Sequence, residues 1–329
     1  MTVIDPDEVR MFSGSSNPEI AASIADCIGI PLEKTHISKF SNDNLFVQLG
    51  SSVRGRKVYI VQSLTPPVSN HLVELLMMLD IAKSAAAREI HAIIPYFSYA
   101  RSDKKDAPRI SITAKLIADL LKTAGATHIM AMTLHAPQVH GFFDIPADPL
   151  TSRMEIVDYL KQRELNPETT VVVAPDMGRA QAAARFAEQL GLPVASAYKT
   201  RISDTNVEIG GLIRRQVKGF KKAIVYDDEI ATAGTVTGLS KVLVENGVNE
   251  ITLVCTHGLF LGKAIKRIRS IPEINEIIST DTVLLSSKMK EQLPMLTVLP
   301  VGHVFGKAII QNYLHRSIGE LFAYSEGVE

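Results

Sequence analysis

Short apolar runs with strand character alternate, almost from end to end, with amphipathic stretches of helical period, and that alternation confines this chain to a narrow set of folds. Strands are expected at Val58–Val61, Ile90–Ile94, His128–Leu134, Val171–Val173, Val194–Ala197, Ala223–Tyr226 and Ile251–Cys255. Helices are expected between them, at His71–Ser84, Thr113–Ala124, Arg179–Leu190 and Val236–Glu245. Helices ending at Gly125, Gly191 and Gly247 carry the residue that best adopts the left-handed closing conformation. Repeated strand–helix–strand units favour mostly parallel sheets flanked by helices, an α/β fold whose ligands bind beyond the carboxyl ends of strands. At 329 residues the chain exceeds one typical domain. The proline- and acid-rich run Asp144–Pro149 breaks the alternation, so the expected domains are 1–150 and 151–329. The strand, turn and helix beginning at Tyr59 echo those beginning at Ile224, which reads as a distant duplication.

Charge and cysteine usage exclude several functions. Lys+Arg and Asp+Glu are equal at 35 each, so the basic footprint of a nucleic-acid binder is missing. No apolar run is long enough to span a bilayer, and the acidic N-terminus is unlike a signal peptide. Cys27 and Cys255 stand far apart in apolar contexts and read as small buried hydrophobes of a reducing compartment. A cytoplasmic protein without nucleic-acid or membrane partners is expected.

The most chemically specific stretch is Ala223–Thr235. A buried strand leads into Asp227 and Asp228, then into the small, hydroxyl-bearing loop Ala231-Thr232-Ala233-Gly234-Thr235, which opens a helix. Backbone N–H groups gathered at a helix N-terminus favour a phosphate. Carboxylates beside it would repel that phosphate unless they bind sugar hydroxyls or a metal, so a phosphorylated sugar is the expected ligand. Gly234 is expected to allow the close backbone approach an anion needs. The first half has Gln62-Ser63 and Pro66-Pro67 at the matching place. Proline lacks the N–H of a phosphate cup, so only the second copy is expected to bind sugar phosphate.

Other constellations fall at expected strand ends. The loop Tyr96–Asp106 combines aromatic, guanidinium and ammonium groups, as a nucleotide and its phosphates require. His135 and Asp176 end strands in different halves; facing one cleft, an imidazole and a carboxylate would share a hard divalent cation with phosphate oxygens. Lys199 and Arg201 begin a polar stretch expected to be mobile, where two cations would suit phosphoryl transfer.

Phe40-Ser41-Asn42, Tyr99-Ala100-Arg101, Leu134-His135-Ala136-Pro137-Gln138, Gly141–Pro146, Ala174-Pro175-Asp176 and the Asp227–Thr235 loop occur in order along the chain. With these motifs the sequence resembles the ribose-phosphate pyrophosphokinase family, from about Met11 to Phe322. The resemblance implies two similar phosphoribosyltransferase-type domains and transfer of a diphosphoryl group from Mg-ATP to the anomeric hydroxyl of ribose 5-phosphate, releasing AMP. It implies ATP contacts by Phe40, Asn42, Asn44, Arg101, Ser102 and Asp106, and a Mg²⁺ ion on His135 and Asp176. Lys199 and Arg201 would stabilise the transferring phosphates. Asp227 and Asp228 would face the ribose, and Ala231, Thr232, Ala233, Gly234 and Thr235 its 5-phosphate. A dimer-built homo-oligomer, a hexamer, with ATP shared between subunits is also implied. The chain departs from the family pattern at Asn44 (glutamate), Ser102 (glutamine), Thr133 (aspartate) and Ala231 (aspartate). Two alternatives follow: a pyrophosphokinase for another ribose 5-phosphoryl compound such as ADP-ribose, and a non-catalytic regulatory paralogue.

Overall fold

The computed structural model describes residues 4–197, 199–201, 207–209 and 211–322. The chain divides into two compact units: residues 1–152, 281–284 and 300–329 form the first, and 153–280 and 285–299 the second. The sequence-based division ran the second domain to 329, whereas the segments after 280 are shared between the units. Ala147–Leu150, overlapping the proline- and acid-rich run, pairs with the first sheet as its edge strand. An edge position accommodates Pro149, which has no N–H to contribute to a ladder.

In the first unit, β1 (Val9–Ser13), β2 (Leu32–Glu33), β5 (Lys57–Val61), β6 (Glu89–Ile94), β7 (His128–Met132) and β8 (Ala147–Leu150) form a parallel sheet of order β2-β1-β5-β6-β7-β8. The antiparallel pair β3 (Thr35–Lys39) and β4 (Leu45–Leu49) is inserted after β2. The strands are buried on both sides, hence the nearly continuous apolar runs. Phe12, Val58, Ile60, Ala92 and Ile94 join the core containing α2 (Val68–Ser84) and α3 (Thr113–Ala124). The alternate residues Met11, Tyr59, Val61 and Ile93 join the core containing α1 (Pro18–Ile28) and α10 (Gly302–Tyr313). Gly302 and Gly306 let α10 approach α1 closely: an added Cβ would lie 2.8 Å from Ser23 Cβ or Cys27 Cβ. Cys27 is therefore an exposed residue on the flank of a helix pair, contrary to the sequence expectation, while Cys255 is buried.

The second unit repeats the order. Strands β9 (Thr170–Ala174), β10 (Val194–Ser196), β13 (Lys222–Ile230), β14 (Glu250–Gly258), β15 (Ile274–Thr280) and β16 (Leu296–Leu299) are parallel in the order β10-β9-β13-β14-β15-β16. The antiparallel pair β11 (Lys199–Arg201) and β12 (Val207–Ile209) again follows the second strand. α4 (Arg153–Leu160) and α5 (Ala180–Leu190) cover one face through a core that includes Ile156, Phe186, Val172, Ile224 and Val254. The remaining helices are α6 (Gly211–Gln216), α7 (Gly234–Glu245), α8 (Ala264–Arg269) and α9 (Ser287–Gln292). Position for position, the two sheets have one topology. Among the described residues, no helix is long and apolar enough to cross a membrane.

At the amino ends of the first sheet lies a buried polar chain. His91 Nε2 is 3.2 Å from Glu89, His91 Nδ1 is 2.9 Å from His128 Nδ1, and His128 Nε2 is 2.8 Å from Asp148. His91 stacks on Tyr59, and Lys57 Nζ is 3.2 Å from Glu89. Burial holds His91 below the ordinary imidazole value, with His128 and Lys57 adding to the depression and Glu89 opposing it. The folded chain thus refuses a proton that the unfolded chain accepts as pH falls through about 6.5. Stability should be complete above that pH and decline below it. Thermal unfolding of the native protein should lose more stability between pH 7.5 and 5.5 than His91→Gln, by up to about 1.4 kcal/mol per pH unit. Equal pH slopes for the two proteins would remove His91 as the source.

Candidate active site

In both sheets the chain winds outward in one direction from the first strand and then reverses, so a crevice opens between β1 and β5, and between β9 and β13, at their carboxyl ends. The two crevices differ in content. In the first, Gln62 Oε1 accepts hydrogen bonds from Ser16 N at 3.1 Å and Ser16 Oγ at 2.6 Å. Gln62 Nε2 donates to Glu74 at 2.7 Å, and Glu74 accepts from the Ser15 backbone and hydroxyl. Ser63 donates to the Thr282 carbonyl at 2.7 Å. Even a Cβ at Gly14 would lie 2.4 Å from Gln62 Oε1. These side chains fill the crevice, giving packing grounds for the sequence contrast between the two copies.

The second crevice holds Asp227 and Asp228. The strand was expected to stop at Tyr226, but β13 runs to Ile230. Its pairing with β9 ends at Val225↔Val173, while pairing with β14 continues to Ile230↔Gly258. The acids therefore belong to a strand end supported on one side only, with side chains 14% and 5% exposed. Asp227 Oδ1 accepts the Asp228 backbone N–H at 2.9 Å. Burial raises Asp227 well above the ordinary carboxylate range, Asp228 adds to the rise, and Arg179 opposes it. Arg179 lies 3.3 Å from Asp228 and 3.9 Å from Asp227. The sequence reading missed this residue, placing it only as the first residue of a helix. Arginine three residues after the strand-ending Asp176 was the available signal.

The same short turn accounts for Asp176. Its carboxylate caps the single 3₁₀ turn Met177–Arg179 by accepting the Arg179 backbone N–H at 3.2 Å. Asp176 is in the second unit and His135 in the first, at the loop after β7. No group of three or more His, Cys, Asp or Glu side chains able to hold a metal occurs among the described residues. β7 stops at Met132, two residues before the expected end, because Thr133 adopts a left-handed conformation (φ 44°). Such a conformation is rare for a β-branched residue and costs on the order of 1–3 kcal/mol.

The loop after β13 reaches α7 within three residues. Ala233, at φ 58° and ψ 11°, is the left-handed residue that turns the chain into the helix, so the conformational demand falls there and not on Gly234. The loop is tied down from outside: Leu261 N donates to the Ala231 carbonyl at 2.7 Å, and Arg267 Nη1 to the Thr232 carbonyl at 2.8 Å. Thr232, Gly234 and Thr235 are exposed, Ala231 is half-buried, and Ala233 is buried. This is an open helix N-terminus with a guanidinium beside it, which attracts an anion. Arg267 was another residue missed from sequence.

In the first unit, Arg101 ends a 3₁₀ turn, Ser98–Arg101, and is exposed, as is Asp106. Ser102 is committed locally: its hydroxyl lies 3.2 Å from Thr113 Oγ1 and accepts the Thr113 backbone N–H at 3.3 Å, at the start of α3. Gln138 donates to the buried Asp103, joining the Arg101 loop to the His135 loop. Phe40, Asn42 and Asn44 form the β3–β4 turn, where Asn42 Oδ1 accepts the Asn44 N–H at 3.2 Å and Phe40 is 58% exposed. Lys199 and Arg201 occupy β11 of a hairpin, where a mobile polar stretch was expected; their side chains lie outside the described residues.

A side chain at Gly234 would meet little of the protein itself, since its Cβ would lie 3.5 Å from Arg267 Nη1 and 3.8 Å from Thr232 Oγ1. Gly234→Val should therefore fold, with a stability within about 1 kcal/mol of the parent. Its sugar-phosphate affinity, measured by calorimetry, should be lost. Retained affinity would show that the ligand does not approach the backbone there.

A family model described as the N-terminal domain of ribose phosphate pyrophosphokinase matches residues 9–125, and the phosphoribosyl synthetase-associated domain matches 212–323. The ribose-phosphate pyrophosphokinase of Deinococcus radiodurans is 41% identical, with 95% of this chain and 97% of that protein covered. That of Bacillus subtilis is 40% identical, covering 96% and 97% respectively. The crystal structure of phosphoribosylpyrophosphate synthetase from Mycobacterium smegmatis matches with a TM-score of 0.86 at 34% identity, covering 94% of this chain and 99% of that one. With agreement of this kind over nearly its whole length, in sequence and in fold, the chain belongs to the ribose-phosphate pyrophosphokinase family.

Proposed function

We propose that this protein transfers the β,γ-diphosphoryl group of Mg-ATP to the anomeric hydroxyl of ribose 5-phosphate, giving phosphoribosyl pyrophosphate and AMP. The observation that carries the reading is the order of groups at the carboxyl edge of the second sheet. Two acids lie near the end of β13, which leads through three residues into an open helix N-terminus. Asp227 and Asp228 accept hydrogen bonds from the ribose hydroxyls. The backbone of Ala231, Thr232, Ala233, Gly234 and Thr235 and the threonine hydroxyls receive the 5-phosphate, with Arg267 adding positive charge. The sugar is then held at both ends, leaving its anomeric oxygen to attack the β-phosphorus of ATP as the bond to the AMP oxygen breaks. Negative charge shifts onto the leaving phosphate, where Lys199 and Arg201 act.

Phe40, Asn42, Asn44, Arg101, Ser102 and Asp106 are assigned to ATP. The 58% exposed Phe40 offers an aromatic face for a base, consistent with an ATP site completed by a neighbouring subunit of a dimer-built hexamer. His135 and Asp176 would hold Mg²⁺. A hard cation that keeps waters and phosphate oxygens needs only one or two protein ligands, and the Asp176 carboxylate is already oriented by its 3.2 Å contact with the Arg179 N–H. When bound, the ion would neutralise phosphate charge. A cytoplasmic location fits this chemistry. The relatives support neither ADP-ribose as acceptor nor a non-catalytic role.

Incubation of the protein with Mg-ATP and ribose 5-phosphate should yield equal amounts of AMP and a diphosphorylated sugar by phosphorus NMR. Formation of ADP instead would contradict diphosphoryl transfer. Lys199→Ala should lower kcat by about 10² with little change in either KM, the scale of losing one preorganised electrostatic group. A rise in KM alone would make Lys199 a binding contact.

A further inference from the structure

We propose that Arg179 is a positioning residue for the sugar acceptor, its guanidinium spanning Asp227 and Asp228 so that the two carboxyl groups present one fixed surface to the ribose hydroxyls. The proposal rests on the assignment of those acids to the sugar and deepens it. Three observations carry it. The acids are consecutive and largely buried, 14% and 5% exposed, so each needs a compensating charge close by. Arg179 lies 3.3 Å from one and 3.9 Å from the other and is itself only 12% exposed, which confines the guanidinium to this place. Its backbone is fixed by the cap on Asp176, so one short turn sets both the Asp176 carboxylate and the cation behind the sugar-binding acids.

The chemistry explains why a cation belongs there. Hydrogen bonds from ribose hydroxyls are stronger to acceptors that are charged and correctly aimed. Two adjacent carboxylates without a counter-charge would turn apart or take up a proton, and either change removes an acceptor from the sugar. A fixed guanidinium opposes both and adds no mobile ion to the site.

The test compares steady-state kinetics of the full chain with Arg179→Met, Arg179→Lys, Arg179→Gly and Asp227→Asn. Arg179→Met should raise KM for ribose 5-phosphate by about tenfold or more, with kcat changed less than about threefold and KM for ATP unchanged, the pattern of lost acceptor binding. Arg179→Lys should recover part of the affinity. Guanidinium chloride at non-denaturing concentration should restore sugar affinity to Arg179→Gly, while sodium chloride at equal ionic strength should not. The proposal is overturned if Arg179→Met leaves KM for the sugar at the parent value, or if sodium and guanidinium act alike. It is equally overturned if Arg179→Lys weakens both substrates in parallel. Asp227→Asn separates the two levels: unchanged sugar affinity there rejects the assignment of the acid, whereas weakened affinity with an inert Arg179→Met rejects only the role of the arginine.

Discussion

The ion pairing of Arg179 with Asp227 and Asp228 is the interaction on which the organisation of the second unit's site depends. Consecutive carboxylates on a mostly buried strand end repel one another and lose hydration, and burial, with the neighbouring Asp228, pushes Asp227 well above its ordinary range. The strand end can hold them because β13 outlasts its pairing with β9, opening one flank to the turn that follows β9. Arg179 enters from that turn. The edge of the sheet, the capped turn and the acid pair thus form one electrostatic unit, and the phosphate loop follows directly from it.

The two units show how one topology supports different chemistry. Both sheets have the same strand order and both open a crevice at the same point. In the first, Gln62, Glu74, Ser15 and Ser16 satisfy one another's hydrogen bonds. In the second, the corresponding place carries two acids paired with Arg179, followed by an exposed helix N-terminus. Self-satisfied polar groups stabilise a fold, whereas polar groups that need an outside partner make a site.

The opposite edge of the first sheet is a structural counterpart. Glu89, His91, His128 and Asp148 sit at the amino ends of parallel strands, away from the edge where such sheets bind ligands. The Glu89 carboxyl, bonded to His91 and Lys57, is drawn down to about 2. Charge is matched within the chain there, so this end contributes to pH-dependent stability.

The α/β class, the seven expected strands and the Thr113–Ala124 helix were legible in the sequence, because a strand buried on both faces must be apolar throughout and a helix covering it must be amphipathic. The small exposed loop before α7 was legible for a similar local reason: few sequences place two acids, small residues and hydroxyls between a strand and a helix. The β3–β4 and β11–β12 hairpins were not anticipated, since strands this short carry no strong period, although the turn-forming Ser41–Asn44 was a signal. The exposure of Cys27 and the membership of α10 in the first unit depend on contacts between residues hundreds of positions apart. By itself, the sequence determined which groups were available for chemistry and the ends of the strands near which they would lie. Only the tertiary structure decided which of them meet, because the pairing of Arg179 with two acids almost fifty residues later is set by how far adjacent strands extend, and strand extension is a property of the sheet.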